Sequence, residues 1–449
     1  MVTRSEETPS VLSSGETVET KLLCIAEKAR TESGFKFTSL FHLMDKELLR
    51  GCFTRLRKNA VAGIDEVTKE MYAENLEANL SNLTDRLHRM AYIPQPVRRK
   101  YIPKPGSAKQ RPLGIPCFED KLVQAGLVRI LEAVYEQDFI DDSYGFRPSR
   151  SCHKALIALS DTVEDNSVNY IVEADIKGFF DNVSQEWLLR FLMHRIEDKR
   201  IQRMVKRFLK SGVAEDGSVT VYDEGTPQGG VISPLLANIY LHYVLDLWFE
   251  KVYRKSCTGF TRLIRYADDF VVCFAQKAEA EMFRKELGER LGKFGLEVEP
   301  TKTRVLEFGR FAAQRAKRRK EKPETFDFLG LTHYCGTSRN GAGFRMKRIT
   351  ARKKFTAKLK VFKEWLKKAR TMKTKDLWET AKAKLRGHYN YYGVTDNMRG
   401  IERFGHEVRM LLHKWLNRRG KRQCLNWERF EEMCERFPLP KPRIMVRMF

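Results

Sequence analysis

Two adjacent carboxylates stand between two runs of β-forming residues, and this pattern limits what the chain can fold into. The stretch Arg265–Val272 contains Asp268 and Asp269 at its centre. Neighbouring aspartates favour a turn and repel each other, so that in a strand context they need a cation to sit close together. Asp175 ends another β-branched run, residues 168–175. Three carboxylates from two strands could hold two Mg²⁺ ions, because oxygen ligands suit this hard cation.

An adjacent aspartate pair is also common in solvated turns, and we predict that Asp141-Asp142 is such a turn. Composition adds a separate constraint. The 449 residues include 83 Lys and Arg against 58 Asp and Glu, a formal net charge of +25. This balance favours a polyanionic partner, the alternative being a basic soluble protein with no such ligand.

The nine cysteines include no Cys-x-x-Cys pair, which argues against a disulfide scaffold and against a zinc site. The sequence contains no run of 18 apolar residues, so that no membrane span is predicted. The first ten residues lack the apolar stretch of a signal peptide. We therefore expect reduced thiols and no membrane partner.

Local patterns divide the chain into four segments and predict an α+β fold, because strands and helices mix without strict alternation. Within them, Pro94–Pro116 is predicted to form a β-hairpin, and strands are expected at 262–274, at Val219–Tyr222 and near Leu296–Val298. Basic helices are predicted at 350–370, 375–393 and 398–419. The segments are a polar, disordered tail (1–18), a mainly helical region (19–165), a mixed region with the carboxylates (166–335) and a helical region (336–449).

Several longer strings of residues resemble motifs of the reverse transcriptases encoded by group II introns. They follow one another in the order found in that family. The resemblance covers residues from about 45 to 420. It implies a right-hand polymerase: an N-terminal extension and fingers in 19–165, a palm with an antiparallel sheet in 166–335, and a helical thumb with maturase domain X in 336–449. The strings are Ile102–Gly106, Arg111–Pro116, Ser143–Pro148, Asp175–Val183, Gly225–Asn238 and Tyr266–Asp269.

The same resemblance implies roles for single residues. Asp175, Asp268 and Asp269 match the family's metal-binding triad, and the backbone carbonyl of Ile176 is a further expected ligand. The implied cofactor is Mg²⁺, two ions, with Mn²⁺ as the alternative.

The nucleotide pocket is implied by five other positions. Lys104 and Arg111 match basic residues that hold the incoming triphosphate, a task that suits ammonium and guanidinium groups. Phe180 matches a bulky gate beneath the sugar, which would select dNTPs, while Phe179 is expected in the core. Gln228 matches a residue near the base and sugar. Lys302 matches a lysine that protonates pyrophosphate, the alternative being an ordinary surface lysine.

The C-terminal half is strongly basic. Residues 310–322 hold seven Lys or Arg with one Glu, and residues 345–370 hold twelve with one Glu. Like charges at this density favour contact with the phosphate backbone of a polyanion over a solvated helix face, which normally alternates in sign. A nuclear-localisation signal at Lys317–Lys320 is a weaker alternative. Leu385–Gly393 resembles the start of domain X, and its aromatic residues suit stacking on RNA or packing in a helical core. The expected RNA-binding residues are Arg352, Lys353, Lys354, Arg386, Tyr389 and Tyr391.

The resemblance thus implies an RNA-directed DNA polymerase that binds its intron RNA, assists splicing and copies the RNA into DNA for retrohoming. Its partners would be group II intron RNA, an RNA template with a DNA primer, target DNA and dNTPs. The expected location is the bacterial cytoplasm near the nucleoid, or else an organelle. Cys424 and Cys434 stand alone, so that no zinc nuclease domain is expected.

Three other functions compete with this one. A domesticated reverse transcriptase in defence or repair would keep the same site, and the sequence does not separate it from the first hypothesis. A splicing cofactor with a vestigial polymerase has no reason to retain the three carboxylates and Gln228. A viral-type RNA-dependent RNA polymerase is disfavoured by Phe180.

Overall fold

A computed structural model describes residues 17–103, 110–226, 229–338, 341, 343–419 and 425–448. The chain forms two compact units, and each is built from several stretches of sequence. The first contains Met1–Lys100, Pro112–Ile140 and Gly178–Tyr243, and the second contains Tyr101–Arg111, Asp141–Lys177 and Val244–Phe449.

Helices account for most of the regular structure in the described residues. A continuous helical run from residue 233 to residue 256 includes two π-helical segments, His242–Asp246 and Phe249–Tyr253. The α-helices are α1 (Val18–Thr31), α2 (Lys46–Arg55), α3 (Lys69–Ala73), α4 (Leu76–His88), α5 (Phe118–Tyr135), α6 (Cys152–Asp165), α7 (Phe179–Asn182), α8 (Gln185–Leu192), α9 (Lys199–Leu209), α10 (Ser233–Leu241), α11 (Arg254–Ser256), α12 (Lys277–Gly292), α13 (Ala312–Arg318), α14 (Arg352–Ala369), α15 (Thr374–Tyr392), α16 (Met398–Leu416) and α17 (Trp427–Arg436).

The described strands form three sheets. They are β1 (Val97–Pro103), β2 (Gln110–Ile115), β3 (Tyr170–Asp175), β4 (Val213–Glu215), β5 (Ser218–Thr220), β6 (Thr261–Tyr266), β7 (Asp269–Phe274), β8 (Arg304–Glu307), β9 (Thr325–Phe328), β10 (Leu331–Thr337) and β11 (Phe344–Thr350). The sheet orders are β2-β1-β4-β5, β6-β7-β3-β8 and β11-β10-β9.

The first unit is organised around α5, which is buried along most of its length, including Leu122, Leu127 and Val134. A buried carboxylate ties other elements of this unit together. Asp198 caps the start of α9 and also accepts hydrogen bonds from the backbone amides of Leu40 and Phe41, at 2.7 and 2.8 Å. Four amides satisfy this carboxylate, which removes the cost of burying it.

The second unit contains the antiparallel sheet β6-β7-β3-β8, with α6 and α12 packed against it. Strand β7 is buried from Phe270 to Phe274, and only its first residue, Asp269, is exposed. The middle of this sheet therefore belongs to the core, and the polar chemistry is confined to the end of the strand. Helices α14, α15 and α16 bury one face each and continue the same hydrophobic core.

The mixed α+β composition is as predicted, and so are the hairpin strands within 94–116, the strands around Asp175 and the Asp268-Asp269 pair, and the three C-terminal helices. Val219–Tyr222 overlaps β5, whereas Leu296–Val298 forms no strand and contributes only an isolated bridge between Ile176 and Val298. The predicted tail 1–18 lies outside the described residues except for Thr17 and Val18, and Val18 begins α1.

Two predicted boundaries do not coincide with divisions of the structure. The boundary at 335/336 falls inside β10, and residues 344–350 form β11, so that the segment expected to be helical from residue 336 begins with strands. The boundary at 165/166 also differs from the observed division, because residues 178–243 belong to the first unit and 141–177 to the second. Each unit draws on stretches far apart in sequence, and local patterns do not reveal such grouping.

Candidate active site

The carboxylates of the adjacent aspartate pair and of Asp175 meet at one end of the sheet in the second unit. Strands β3 and β7 are antiparallel, and their register places Asp175 directly opposite Asp269. Strand β6 pairs Tyr266 with Asp269 on the other side, so that Ala267 and Asp268 form the tight connection between β6 and β7. Directly opposite residues in an antiparallel pair lie about 5 Å apart at Cα. Three carboxylates therefore share one small region.

The connection between β6 and β7 has an unusual backbone. Ala267 adopts φ +57°, a left-handed conformation that residues with a side chain rarely take. Gly145 packs directly against it, because a Cβ atom at Gly145 would lie 2.3 Å from the backbone nitrogen of Ala267. The amide of Tyr144 donates to the carbonyl of Arg265 at 2.8 Å. The segment Ser143–Pro148 thus lines the back of the turn that carries Asp268.

A fully buried ion pair supports the same turn. Arg265 has no exposed surface, and its Nε and Nη2 atoms donate to the two carboxylate oxygens of Asp246 at 2.7 and 2.5 Å. Its Nη1 atom donates to the carbonyl of Ala267 at 3.0 Å, and Nη2 also reaches the hydroxyl of Ser143 at 2.7 Å. Buried charges persist only when they are paired and hydrogen-bonded in this way. Arg265 therefore fixes the backbone of the carboxylate-bearing turn.

Burial and mutual repulsion raise the pKa values of two carboxylates of the site. Desolvation raises the pKa of Asp268, and the carboxylate of Asp175 raises it further, whereas the guanidinium of Arg111 opposes the shift. Desolvation and the carboxylates of Asp268 and Asp175 raise the pKa of Asp269 to about 7. Carboxylate groups that repel one another in this way are suited to divalent cations with oxygen ligands.

Asp175 is paired with a cationic side chain. Lys302 donates from Nζ to its carboxylate, and this hydrogen bond raises the pKa of Lys302. Lys302 is therefore the ionic partner of Asp175. Within the described ranges, no three His, Cys, Asp or Glu side chains are arranged as a ready metal-binding group. The donor chemistry fits a divalent ion, but Asp175 holds the lysine instead.

The other predicted nucleotide-binding residues are placed as follows. Arg111 is exposed and lies close enough to influence Asp268, whereas Lys104 and Gln228 fall outside the described residues. Phe179 is buried, as predicted, and Phe180 in the first unit is partly exposed with its ring edge-on to Phe179 at 5.2 Å. Ile176, whose carbonyl was an expected ligand, follows Asp175 and has a buried side chain.

The predicted RNA-binding residues divide into two groups. Arg352, Lys353 and Lys354 are exposed in the first turn of α14, and Arg386 is exposed on α15. Tyr389 lacks the exposure that stacking on RNA requires. Only 4% of the residue is exposed, and its ring lies in the helical core. It stands four residues after buried Leu385, on the apolar face of α15. Tyr391 is half-buried, and its hydroxyl donates to the carbonyl of Leu329 at 2.9 Å.

The prediction that Asp141-Asp142 is a solvated turn holds for only one of the two residues. Asp141 is 94% exposed at its side chain, as expected of a solvated turn, but Asp142 is only 15% exposed. Its carboxylate accepts two hydrogen bonds from Arg262 on β6, at 2.8 and 2.7 Å. Sequence reasoning also missed Asp246 and Ser143 as supports of the turn. The one sequence signal for such an acid is Arg265 itself. A charged residue inside a predicted strand needs an acidic partner if it is buried.

With this geometry described, comparison with known proteins becomes informative. The family model for reverse transcriptase (RNA-dependent DNA polymerase) matches residues 102–333, just over half of the chain. The chain therefore belongs to the reverse transcriptase family.

Several known proteins are similar to parts of this chain. Group II intron-encoded protein LtrA of Lactococcus lactis subsp. cremoris is 40% identical over 216 residues, which cover 47% of this chain and 36% of LtrA. Protein YkfC of Escherichia coli (strain K12) is 36% identical over 274 residues, covering 54% of this chain and 71% of YkfC. Nuclear intron maturase 2, mitochondrial, of Arabidopsis thaliana is 27% identical over 175 residues, 30% of this chain and 23% of the relative. The match thus spans only about a third of LtrA, and the predicted similarity to group II intron proteins is confirmed.

No helix among the described residues is both long and apolar enough to span a bilayer.

Proposed function

We propose that this chain is an RNA-directed DNA polymerase of the group II intron type. The observation that carries the proposal is the antiparallel register that sets Asp175 beside Asp269, with Asp268 on the adjoining turn. Three carboxylates at the end of a buried sheet suit the binding of divalent metal ions, and such ions can hold a nucleoside triphosphate. Membership of the reverse transcriptase family supports the same reaction. In the right-hand description, the second unit's β6-β7-β3-β8 sheet would be the palm and α14–α16 the thumb.

In this mechanism Asp175, Asp268 and Asp269 would hold two Mg²⁺ ions, with the Ile176 carbonyl as a further ligand. The bound ions would lower the pKa of the primer 3′-hydroxyl and stabilise the leaving pyrophosphate. Lys302 already lies beside Asp175, and its ammonium group can supply a proton to a phosphate oxygen.

The remaining pocket residues would bind and select the nucleotide. Arg111 and Lys104 would hold the triphosphate, because a guanidinium forks onto phosphate oxygens and an ammonium adds a point charge. Gln228 would lie near the base and sugar. Phe180, partly exposed, would exclude a 2′-hydroxyl and so favour dNTPs.

The test is extension of a DNA primer annealed to an RNA template by the full chain in Mg²⁺. Asp268→Ala should reduce extension by about 10³-fold or more, as expected when a group that acts in the transition state is removed. Asp141→Ala is the matched control, because Asp141 belongs to the other aspartate pair and is solvent-exposed. Substantial extension by Asp268→Ala, or equal losses in the two variants, would contradict the catalytic assignment.

A maturase role is a second proposal, favoured by the exposed cations at the start of α14. Arg352, Lys353 and Lys354 project from the first turn of a helix whose other face is buried. They would bind phosphates of intron RNA, and the printed names of LtrA and of the Arabidopsis maturase support an intron partner. Copying of that RNA into target DNA, that is retrohoming, would follow from both activities. The experiment is the splicing rate of the intron RNA encoded by the flanking DNA, with and without the protein. No acceleration would favour a domesticated polymerase.

A further inference from the structure

A second basic surface lies on the second unit, outside the residues assigned above to the proposed polymerase site. It consists of Arg310–Lys322, the segment that contains α13, and is called the α13 platform below. Its net charge is strongly positive, with seven basic residues and one acidic residue. The platform leads away from β8, the edge strand of the sheet that carries the carboxylates.

The platform is attached rigidly by one carboxylate. Glu307 at the end of β8 forms ion pairs with both Arg315 and Arg319. Arg315 also donates to the side chain of Asn169 at 3.4 Å, and Arg310 donates to the carbonyl of Glu164 at 3.3 Å. The ion pairs with Glu307 involve two of the seven basic side chains. Together with the two hydrogen bonds they hold the segment against the sheet.

Four other basic side chains of the platform are exposed to solvent. Lys317, Arg318, Lys320 and Lys322 are all exposed, and none forms an ion pair with any acid in the part of the chain that the structure describes. Phe311, which precedes α13 in the same segment, is 51% exposed. Four uncompensated cations within six residues are mutually repulsive, whereas a polyanion would relieve the repulsion. An exposed ring and exposed cations in one short segment can bind unpaired nucleotides by stacking and phosphate contact.

One lysine occupies a position that would suit glycine. α13 ends with a backbone hydrogen bond from the amide of Glu321 to the carbonyl of Ala316, at 2.9 Å, and Lys320 in this closing turn has φ +58°. Glycine is the residue most often found at this left-handed position. Glycine at residue 320 would therefore relieve this backbone conformation while removing the lysine charge.

The platform is also remote from the carboxylates. In the β3–β8 register, Glu307 pairs with Tyr170 at the beginning of β3, whereas Asp175 stands at its end. At about 3.3 Å per residue the two ends are about 16 Å apart. A ligand on the platform is thus distinct from a nucleotide held by Asp175.

We propose that the α13 platform is a second RNA-binding site, which takes the phosphate backbone of a structured RNA on Lys317, Arg318, Lys320 and Lys322 and stacks an unpaired base on Phe311. RNA suits it better than an acidic protein because the same segment carries an exposed aromatic ring on which a base can stack. The site operates beside the polymerase and does not depend on its catalytic step.

The experiment uses the full chain and a labelled RNA stem-loop with unpaired loop nucleotides. The variant replaces Lys317, Arg318, Lys320 and Lys322 with Ala. The matched control replaces four exposed lysines on other elements of the same unit, Lys251, Lys255, Lys285 and Lys293, which removes the same charge. The platform variant should flatten the slope of log K against log salt by up to about 3, at roughly 0.7 per lost contact. Equal slopes in variant and control would overturn the proposal.

Two single substitutions separate binding from folding. Lys320→Gly should weaken stem-loop binding while the melting temperature stays equal or rises, since glycine relieves the left-handed conformation. Phe311→Ala should weaken binding without changing the salt slope, because stacking releases no counterions. Unchanged stem-loop affinity in both variants would contradict the assignment.

Occupancy of the two sites is tested by competition. Stem-loop binding should persist when an unlabelled RNA template with annealed DNA primer saturates the polymerase site, and the platform variant should extend that primer at the wild-type rate. Complete displacement of the stem-loop by the template–primer, or loss of extension in the platform variant, would show that the surface belongs to the polymerase path. Because extension is measured separately, failure of the platform proposal leaves the polymerase proposal intact.

Discussion

The turn between β6 and β7 and the first turn of α14 both depend on positive charge, but they use it in opposite ways. Arg265 is fully buried, paired with Asp246 and bonded to the carbonyl of Ala267. Arg352 and Lys353 are exposed on a helix with few acids. A buried guanidinium with a fixed partner holds a backbone in place, whereas solvated cations remain available to a ligand that arrives from outside.

This difference has a measurable consequence. Salt screens exposed charges strongly and buried pairs much less. Changes at the β6–β7 turn should therefore alter stability and catalysis at any ionic strength, while changes on α14 should alter binding in a salt-dependent manner.

The largest expected effect comes from breaking the buried pair. Arg265→Met removes the guanidinium that pairs with the buried carboxylate of Asp246 and removes a donor to the carbonyl of Ala267, which should lower the free energy of unfolding by about 3–5 kcal/mol. Denaturant-induced unfolding measures the loss.

The double variant Arg265→Met, Asp246→Leu sharpens the result. Removing both charges should restore most of the stability, because a buried pair replaced by apolar residues is often nearly neutral. Primer extension should remain low, since nothing then holds the carbonyl of Ala267. If the stable double variant extends primers normally, Arg265 has only a structural role.

The nucleotide pocket should respond to a loss of side-chain volume. Phe180→Val removes ring atoms from the predicted sugar gate and should raise use of rNTPs relative to dNTPs by about 10- to 200-fold. The ratio of kcat/KM values for one rNTP and its dNTP measures it. Phe179→Val is the control, because Phe179 is buried and should affect stability instead. An unchanged ratio for Phe180→Val would place the gate elsewhere.

The smallest effect is expected on α14. Replacing Arg352, Lys353 and Lys354 with Ala should flatten the salt dependence of intron RNA binding by about 2 in slope, at roughly 0.7 per phosphate contact. The control replaces Lys255, Lys285 and Lys293, three exposed lysines elsewhere in the same unit. If both triple variants change the slope equally, net charge and not the surface of α14 controls binding.

The strands that carry the three carboxylates could be predicted because the sequence signals for these strands are local. Residues 168–175 and 262–274 carry enough β-branched and aromatic residues to identify strands β3, β6 and β7, and the carboxylates stand at their ends. Resemblance to a family then indicated that these strands are neighbours, which local pattern alone could not show.

The errors arise where distant residues decide the outcome. Asp246 and Arg265 are 19 residues apart, and nothing in either neighbourhood specifies their pairing. In the sequence Asp142 cannot be distinguished from Asp141, and only the fold brings Arg262 of β6 to its carboxylate. Tyr389 was assigned to RNA from its basic neighbours, although its spacing from Leu385 already placed it on the buried face. Composition suggested RNA contact, whereas periodicity correctly predicts burial there.

The most direct test of the contrast between the two regions is the single-turnover rate of first nucleotide addition at low salt, with saturating RNA template and DNA primer. Asp269→Asn keeps the shape of the side chain and removes its charge, so we expect a fall of about 10³-fold or more. The α14 triple variant should react within about threefold of the wild type, because saturation removes a defect confined to binding. A near-normal rate for Asp269→Asn, or a slow rate for the saturated triple variant, would contradict the assignment of catalysis to the carboxylates and of RNA binding to α14.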